Sequence, residues 1–352
     1  MDRYIGLDVH SASCTACVLS AKGKRLSSMV LETNGKVLVD YLLTIPGTRH
    51  LVVEEGTHAA WLYEILSPHV HEMVVMGAPK SINNGQKSDK LDAFGQAEKL
   101  RVGSIERRVY KGIGEFSALS SLSKAYSKVM SDSVRVMSRL KSVYRSRGVA
   151  TGEGHVFCQD TKDEWLRELP TKMRPLASTY YTELAALLEI REQASKDMVK
   201  EARRHRIFHI LKTIPGMGDM RVSEMLPIVV TPYRFPSKRM FWAYCGLGVV
   251  TRSSSDWVRT ANGSWVRANI MQTRGLNFNH NHTLKKIFKG AATCVVGQKR
   301  QEEPIYQHYL SLLDNGTKPN LAKLTIARQI ASVTLSLWRT GEEYDGKKMK
   351  RK

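Results

Sequence analysis

Acids are scarce in this chain. Its 352 residues include 33 Asp and Glu against 54 Lys and Arg, a net charge of +21. Hydrophobic residues, at 42%, suffice for a buried core. A soluble chain with that much positive charge points to a polyanionic partner, nucleic acid before an acidic membrane surface. Long apolar runs are missing as well. None reaches the ~18 residues a membrane span needs, and no lipidation motif or basic amphipathic anchor stands in for one, so no membrane partner is expected. The opening MDRYIGLDVH has no basic stretch followed by an apolar one. No secretory signal is read there, and a cytoplasmic location is expected. Cysteine is sparse and odd in number, five in all, which argues against a disulfide scaffold. Cys14 and Cys17 form a lone C-x-x-C with no second pair at zinc spacing, and read as packing residues of a strand. An H-N-H triplet at 280–282 lacks the ββα setting of a metal nuclease. No internal repeat is seen.

What is present has an order. Short β-branched runs at RYIGLDVH, CTACVLS, RLSSMVLETN, RHLVVEE and EMVVMG read as strands, and GKVLVDYLLTI and HAAWLYEIL as helices between them. A further helix is expected over KSDKLDAFGQAEKL, after the Gly/Pro/Asn-rich GAPKSINNGQ. Three strands, helix, strand, helix, strand, helix predicts a mixed α/β sheet. From residue 115 the period changes. Leu119, Leu122, Tyr126, Val129, Val136, Leu140 and Val143 keep a 3-4 spacing broken only by Ser133, which predicts a long helix with a coiled-coil-like seam. A second long helix is expected over 176–210, with Leu184, Leu187, Leu188 and Ala194 on its apolar side. The two are expected to pair as a hairpin or to form an oligomer interface. Residues 101–150 hold eleven Lys/Arg against three Asp/Glu, a local surplus of +8. Residues 211–300 form a third unit, and the closing GKKMKRK reads as a disordered basic arm.

The few acids are placed unusually. Asp8 ends the first strand and Glu54 and Glu55 end the fourth. Asp89 and Asp92 stand three apart on a helix and so share a face. Adjacent carboxylates repel unless a divalent cation sits between them, and a hard cation such as Mg²⁺ takes carboxylate oxygens and can clamp a phosphodiester. The pair alone reads more readily as a capped, solvated helix start. Strand-end acids plus a helical pair on this strand order is the rarer arrangement, that of an RNase H-like nuclease. Lys87 precedes the pair and Lys90 lies between its members, and both would attract nucleic acid. Downstream, IPGMG at 214–218 resembles the turn of a helix-hairpin-helix, in which Gly216 and Gly218 leave backbone N–H groups open to a phosphate. Then Ser253, Ser254 and Ser255 are bracketed by Arg252, Arg259 and Arg267. A nucleophilic serine needs positive charge for the phosphate it attacks, and the arginine fork matches phosphate oxygens. A polar loop contacting backbone phosphates explains the same composition.

The residues YIGLDVH, VVEEGTHAAW, KSDKLDA, IPGMG, RFPSKRMFWAYCGLG, SSSDW and NGSWVR, in this order, resemble the insertion-sequence transposases with a DEDD acid tetrad. That group is related to Piv-type DNA invertases and is described as bridge-RNA-guided recombinases. The resemblance implies a RuvC-like (RNase H-fold) domain over 1–110, with Asp8, Glu54, Asp89 and Asp92 holding Mg²⁺, or Mn²⁺ in its place. It implies a long-helix, coiled-coil region for RNA binding and oligomerisation over 111–208. A mainly helical transposase domain with a helix-hairpin-helix would follow over 209–340, and a basic tail over 341–352. Ser254 would be the nucleophile, by the place of SSSDW, with Ser253 and Ser255 as alternatives. Spacing from EGTH favours Glu54 over Glu55. The partners implied are donor and target DNA, a structured noncoding guide RNA, and further copies of the chain, as dimer or tetramer, in a bacterial or archaeal nucleoid. A junction nuclease that hydrolyses with water, a site-specific invertase and a non-catalytic basic binding protein are the other readings.

Overall fold

Alternation of apolar residues along the first strands gives a sheet with two buried faces. The computed structural model describes residues 1–77, 89–109, 115–152, 155–254, 256–268 and 271–349, which fall into two compact units, 1–115 and 116–352. The first unit runs β1 (Asp2–Val9), β2 (Ser13–Ser20), β3 (Arg25–Glu32), α1 (Gly35–Thr44), β4 (Thr48–Glu54), α2 (Ala59–Leu66), β5 (Glu72–Met76), α3 (Asp89–Arg101) and β6 (Arg108–Val109). This is the strand–helix order expected from the sequence. Among the described residues the strands form one sheet in the order β3-β2-β1-β4-β5-β6. β1 pairs antiparallel with β2 and parallel with β4, and β4 parallel with β5. It is a mixed sheet, compatible with a RuvC-like fold.

The sheet divides its apolar residues by parity. Ile5, Leu7, Leu51, Val53 and Val75 meet Leu38 and Leu42 of α1 and Leu62 and Leu66 of α2 on one face. Val52, Val74 and Met76 meet Leu100 of α3 on the other, where Cys17 and Leu19 also pack on Ala93 and Ala97. Asn34 starts α1 by accepting the N–H groups of Lys36 and Val37. Cys14 and Cys17 are fully buried, on opposite faces of β2, so they pack, as the sequence suggests.

The second unit is built on two helices of 29 residues, α4 (Ser117–Arg145) and, beyond the short α5 (Lys162–Arg167), α6 (Arg174–Ala202). They run antiparallel as a hairpin: Tyr144 and Tyr181 hydroxyls meet at 3.2 Å, and Arg191 reaches Met130 Sδ at 3.7 Å. The polar break in the α4 seam is resolved locally. Ser133 is buried, and its hydroxyl donates to the Val129 carbonyl at 2.8 Å. One helix was expected over 176–210, but α6 stops at Ala202 and α7 (Arg206–Lys212) restarts. The His205 ring packs 4.6 Å from Phe116 at the break.

Next come α8 (Asp219–Val229), α9 (Lys238–Tyr244), β7 (Val249–Ser254), β8 (Trp257–Arg259), β9 (Trp265–Arg267) and β10 (Met271–Leu276). The chain then continues through α10 (His282–Gln298), α11 (Pro304–Asp314), α12 (Pro319–Thr340) and α13 (Gly346–Met349). The hairpin's open end shares its core with these helices: Leu119, Met198 and Ala202 pack with Phe208, Phe241, Phe288 and Ile326. The H-N-H triplet is structural, since Asn281 caps α10 by accepting the Leu284 N–H at 3.0 Å. The tail is anchored at Tyr344, and residues 346–349 form α13. Tyr344 donates its hydroxyl to Glu303 and its N–H to Thr213. Residues 350–352 lie outside the described residues. Among the described residues no helix is long and apolar enough to cross a membrane.

Candidate metal centre and serine strand

The carboxylates come together because of one glycine. Gly6 lies in β1 under α3, and a Cβ there would sit 2.1 Å from the Ala93 carbonyl oxygen and 2.7 Å from the Ala97 nitrogen. Only glycine lets the helix backbone lie this close to the strand. Strand alternation then points Asp8, two residues on, to the α3 side. Asp89 and Asp92 occupy the first turn of α3. Acids are favoured at a helix N-terminus by the helix dipole, but here a third carboxylate arrives from the sheet.

His10, two residues beyond Asp8, sits between the acids. Its Nε2 lies 3.2 Å from Asp8 Oδ2 and 3.6 Å from Asp89 Oδ1. Ligand atoms of Asp8, His10 and Asp89 all fall within 4.8 Å of one another. The Asp8 side chain is 15% exposed against 60% for Asp89. Burial pushes the Asp8 carboxyl above the usual carboxylate range. His10 pulls it back, and the charges of Asp89 and Asp92 add to the upward push. So three of the four expected acids act on one another. The fourth, Glu54, is not in the group of ligand atoms found among the described residues, and strand register is what relates it to Asp8. β1 and β4 pair in parallel through Leu7↔Val53, and Glu54 is the next residue on β4 as Asp8 is on β1. Glu54 keeps the parity of Val52, whose side chain packs on the α3 face. Glu55 lies past the strand, where its N–H donates to the Met76 carbonyl at 2.7 Å.

The donor set fits a hard divalent cation. Carboxylates that repel at close range and a partly buried one held back from ionising gain from a cation between them. His10 was not among the residues singled out from sequence. Its D-x-H spacing carries meaning only once β1 is a strand, which turns i and i+2 to the same side. Lys87 lies outside the described residues. Lys90 is on the first turn of α3.

The other expected residues belong to the second unit. Gly216 has φ +78°, and a Cβ on it would meet the Ala291 carbonyl oxygen of α10 at 2.5 Å. Arg221 donates to its carbonyl at 2.7 Å. Gly216 therefore serves the turn and the packing of α8 on α10. Gly218 precedes α8 and is exposed, with open space around its Cα. The serine stretch is strand rather than loop at Ser253 and Ser254, which pair by register with Gln272 and Met271 of β10. Ser255 lies outside the described residues. Arg252 is on β7, and Arg259 and Arg267 stand on the exposed strands β8 and β9.

Two family models match the chain. Residues 5–146 match the IS110-type DEDD transposase model, described as "Transposase", and residues 208–273 match the model described as "Transposase IS116/IS110/IS902 family". The two together span more than half of the chain. A search of curated proteins finds no match.

Proposed function

Because this chain carries the domains of an IS110-family transposase and so is a DNA transposase, we propose that it cuts and rejoins strands through Ser254 together with a carboxylate site of Asp8, Glu54, Asp89 and Asp92. The observation that carries the reading is the meeting of Asp8, His10 and Asp89 at the end of β1. Transposases with a DEDD tetrad use a divalent metal, here Mg²⁺ or Mn²⁺ in its place. Held by these carboxylates, such an ion supplies positive charge against phosphate oxygens. The chain's own groups do the rest. The Ser254 Oγ forms a bond to a backbone phosphorus, and one P–O bond of the strand breaks. The departing hydroxyl takes a proton, and the serine proton leaves to solvent or a base. A hydroxyl of the second strand then attacks the same phosphorus and releases the serine. Arg252, Arg259 and Arg267 would receive phosphate charge. Lys87 and Lys90 would draw the duplex to the acids, and Gly218 would offer backbone N–H groups at the start of α8.

DNA is the substrate. A structured guide RNA is the further partner that the +8 surplus of residues 101–150 and the long α4–α6 hairpin support. A dimer or tetramer in the bacterial or archaeal cytoplasm would bring acids and serine of different copies together. The test is recombination-junction formation, read by PCR across donor and target in cells carrying the element. Loss in both Ser254→Ala and Asp89→Ala, at unchanged protein level, is the expected result. Junctions made by Ser254→Ala but not by Asp89→Ala would overturn serine attack at Ser254. They would turn the reading toward Ser253, Ser255 or a water-driven nuclease.

A further inference from the structure

The β8–β9 hairpin holds two tryptophans where no core covers them. Trp257 is 57% exposed and Trp265 is 62% exposed. The hairpin is tied by its turn: the Gly263 N–H donates to the Thr260 carbonyl at 2.9 Å, the Thr260 N–H to the Ser264 carbonyl at 2.8 Å, and Gly263 takes φ +79°. Its register sets Trp257 opposite Arg267 and Arg259 opposite Trp265. Residues at i and i+2 share a face, so all four side chains lie on one side, as a square with tryptophans on one diagonal and arginines on the other. The Arg267 guanidinium sits 5.9 Å from the centre of the Trp257 ring. Val258 and Val266 form the opposite face.

We propose that this square is a stacking platform for an unpaired nucleic-acid strand. The proposal deepens the reading above, naming what the hairpin grips while strands are exchanged. Three observations select the occupant. The residues from 249 to 276 hold four Arg and one Asp, with no Lys or Glu, so the hairpin suits a polyanion. Its side chains alternate ring and cation, which matches base and phosphate in turn. The diagonal across an antiparallel pair spans about 7–8 Å. That is about twice the ~3.4 Å rise between stacked bases of a duplex, so the two rings suit bases splayed apart rather than a closed helix.

The experiment uses the purified full chain and fluorescein-labelled oligonucleotides of about 16 residues. One is single-stranded DNA, one single-stranded RNA, and one a blunt DNA duplex. Fluorescence anisotropy is read over a salt series. The doubly substituted Trp257→Ala/Trp265→Ala chain should bind an unpaired strand at least about tenfold more weakly, with duplex binding and thermal unfolding unchanged. Trp257→Phe/Trp265→Phe should keep most of the affinity. Arg259→Gln/Arg267→Gln should make the log–log salt slope shallower by about 1.4. A loss on the DNA arm assigns the platform to an exchanged strand, and a loss on the RNA arm to a noncoding RNA. A loss on both assigns it to a site blind to the sugar. Unchanged single-strand binding in the Ala pair overturns the proposal. An equal loss on duplex overturns it too, in favour of a ribbon laid in a groove. Unchanged binding with a smaller particle in light scattering would mark a contact between copies instead. None of these outcomes bears on the acids, whose role the junction assay with Asp89→Ala tests separately.

Discussion

Asp89 and Asp219 are each the first residue of a helix, and they are treated in opposite ways. Asp219 opens α8 between two cations, with Lys212 Nζ at 2.8 Å and Arg203 Nη2 at 2.6 Å. Those hydrogen bonds hold its carboxyl below the usual range. Asp89 opens α3 facing Asp8, with Asp92 on the same turn and His10 at 3.6 Å. A helix N-terminus welcomes an acid in both places. The difference lies in what the fold brings next to it. One acid is satisfied by the protein itself. The other is set among like charges, an arrangement that lowers stability and gains from a cation brought in from solution.

The largest expected effect separates these two roles. Asp8→Asn or Asp89→Asn should lower junction formation by about two orders of magnitude or more, with the protein still folded. Asp219→Asn should leave junction formation near wild type. Quantitative PCR of junctions, normalised to protein level, decides it. Equal losses in all three would erase the distinction between a structural and a functional acid.

The second effect tests how the acids are held. Gly6→Ala drives a methyl group into the α3 backbone. It should cost about 3 kcal/mol and take junction formation with it, because α3 carries Asp89 and Asp92. Gly95, in the middle of α3, has nothing within 4 Å of its Cβ position. Gly95→Ala should instead stabilise by up to about 1 kcal/mol. Thermal unfolding of the two variants tells whether the close approach at Gly6, rather than glycine content in general, sets the site.

Much of the first unit can be read from sequence, because a two-sided sheet writes its pattern directly into β-branched runs. The strand-end positions of Asp8 and Glu54 are legible for the same reason: each is the residue at which an apolar strand turns polar. His10 is not, since its role depends on α3 arriving overhead, which local spacing does not encode. The long helices follow from their seam, yet the break at 203–205 has no glycine or proline to announce it. What marks it in the fold is a tertiary contact, His205 against Phe116. The strands β8 and β9 are only three residues long, too short for a period to show. The repeated W-V-R flanking Asn262-Gly263 was the available signal for the β8–β9 hairpin. The basic tail reads as an arm until Tyr344 is seen seated against Glu303 and Thr213.

A third prediction concerns the cation. Mg²⁺ or Mn²⁺ at a hundred times its dissociation constant should stabilise the first unit by about 2.7 kcal/mol, and Asp8→Asn should abolish most of that shift. The pH dependence has a definite sign. The Asp8 carboxyl is raised in the folded chain. Its cost is therefore absent below the unfolded carboxylate range, where both states hold the proton. It grows as pH rises and is complete above the raised value. Without metal, Asp8→Asn should raise the melting temperature at neutral pH and leave it unchanged in acid. A melting temperature that fell in Asp8→Asn at neutral pH would show an acid already satisfied by its neighbours.

The smallest effect runs the other way. The Asp219 carboxyl is lowered in the folded chain, so its contribution is present above the unfolded carboxylate range and is lost as pH falls through the lowered value. The side chain is 26% exposed, and its two cations are partly solvated, so the contribution is modest. Asp219→Asn should cost about 1 kcal/mol at neutral pH, less at high salt, and almost nothing in strong acid. Urea unfolding of wild type and variant across the acid range measures it. A neutral-pH cost that persists undiminished in acid would place the Asp219 contribution in the geometry of the α8 start rather than in its charge.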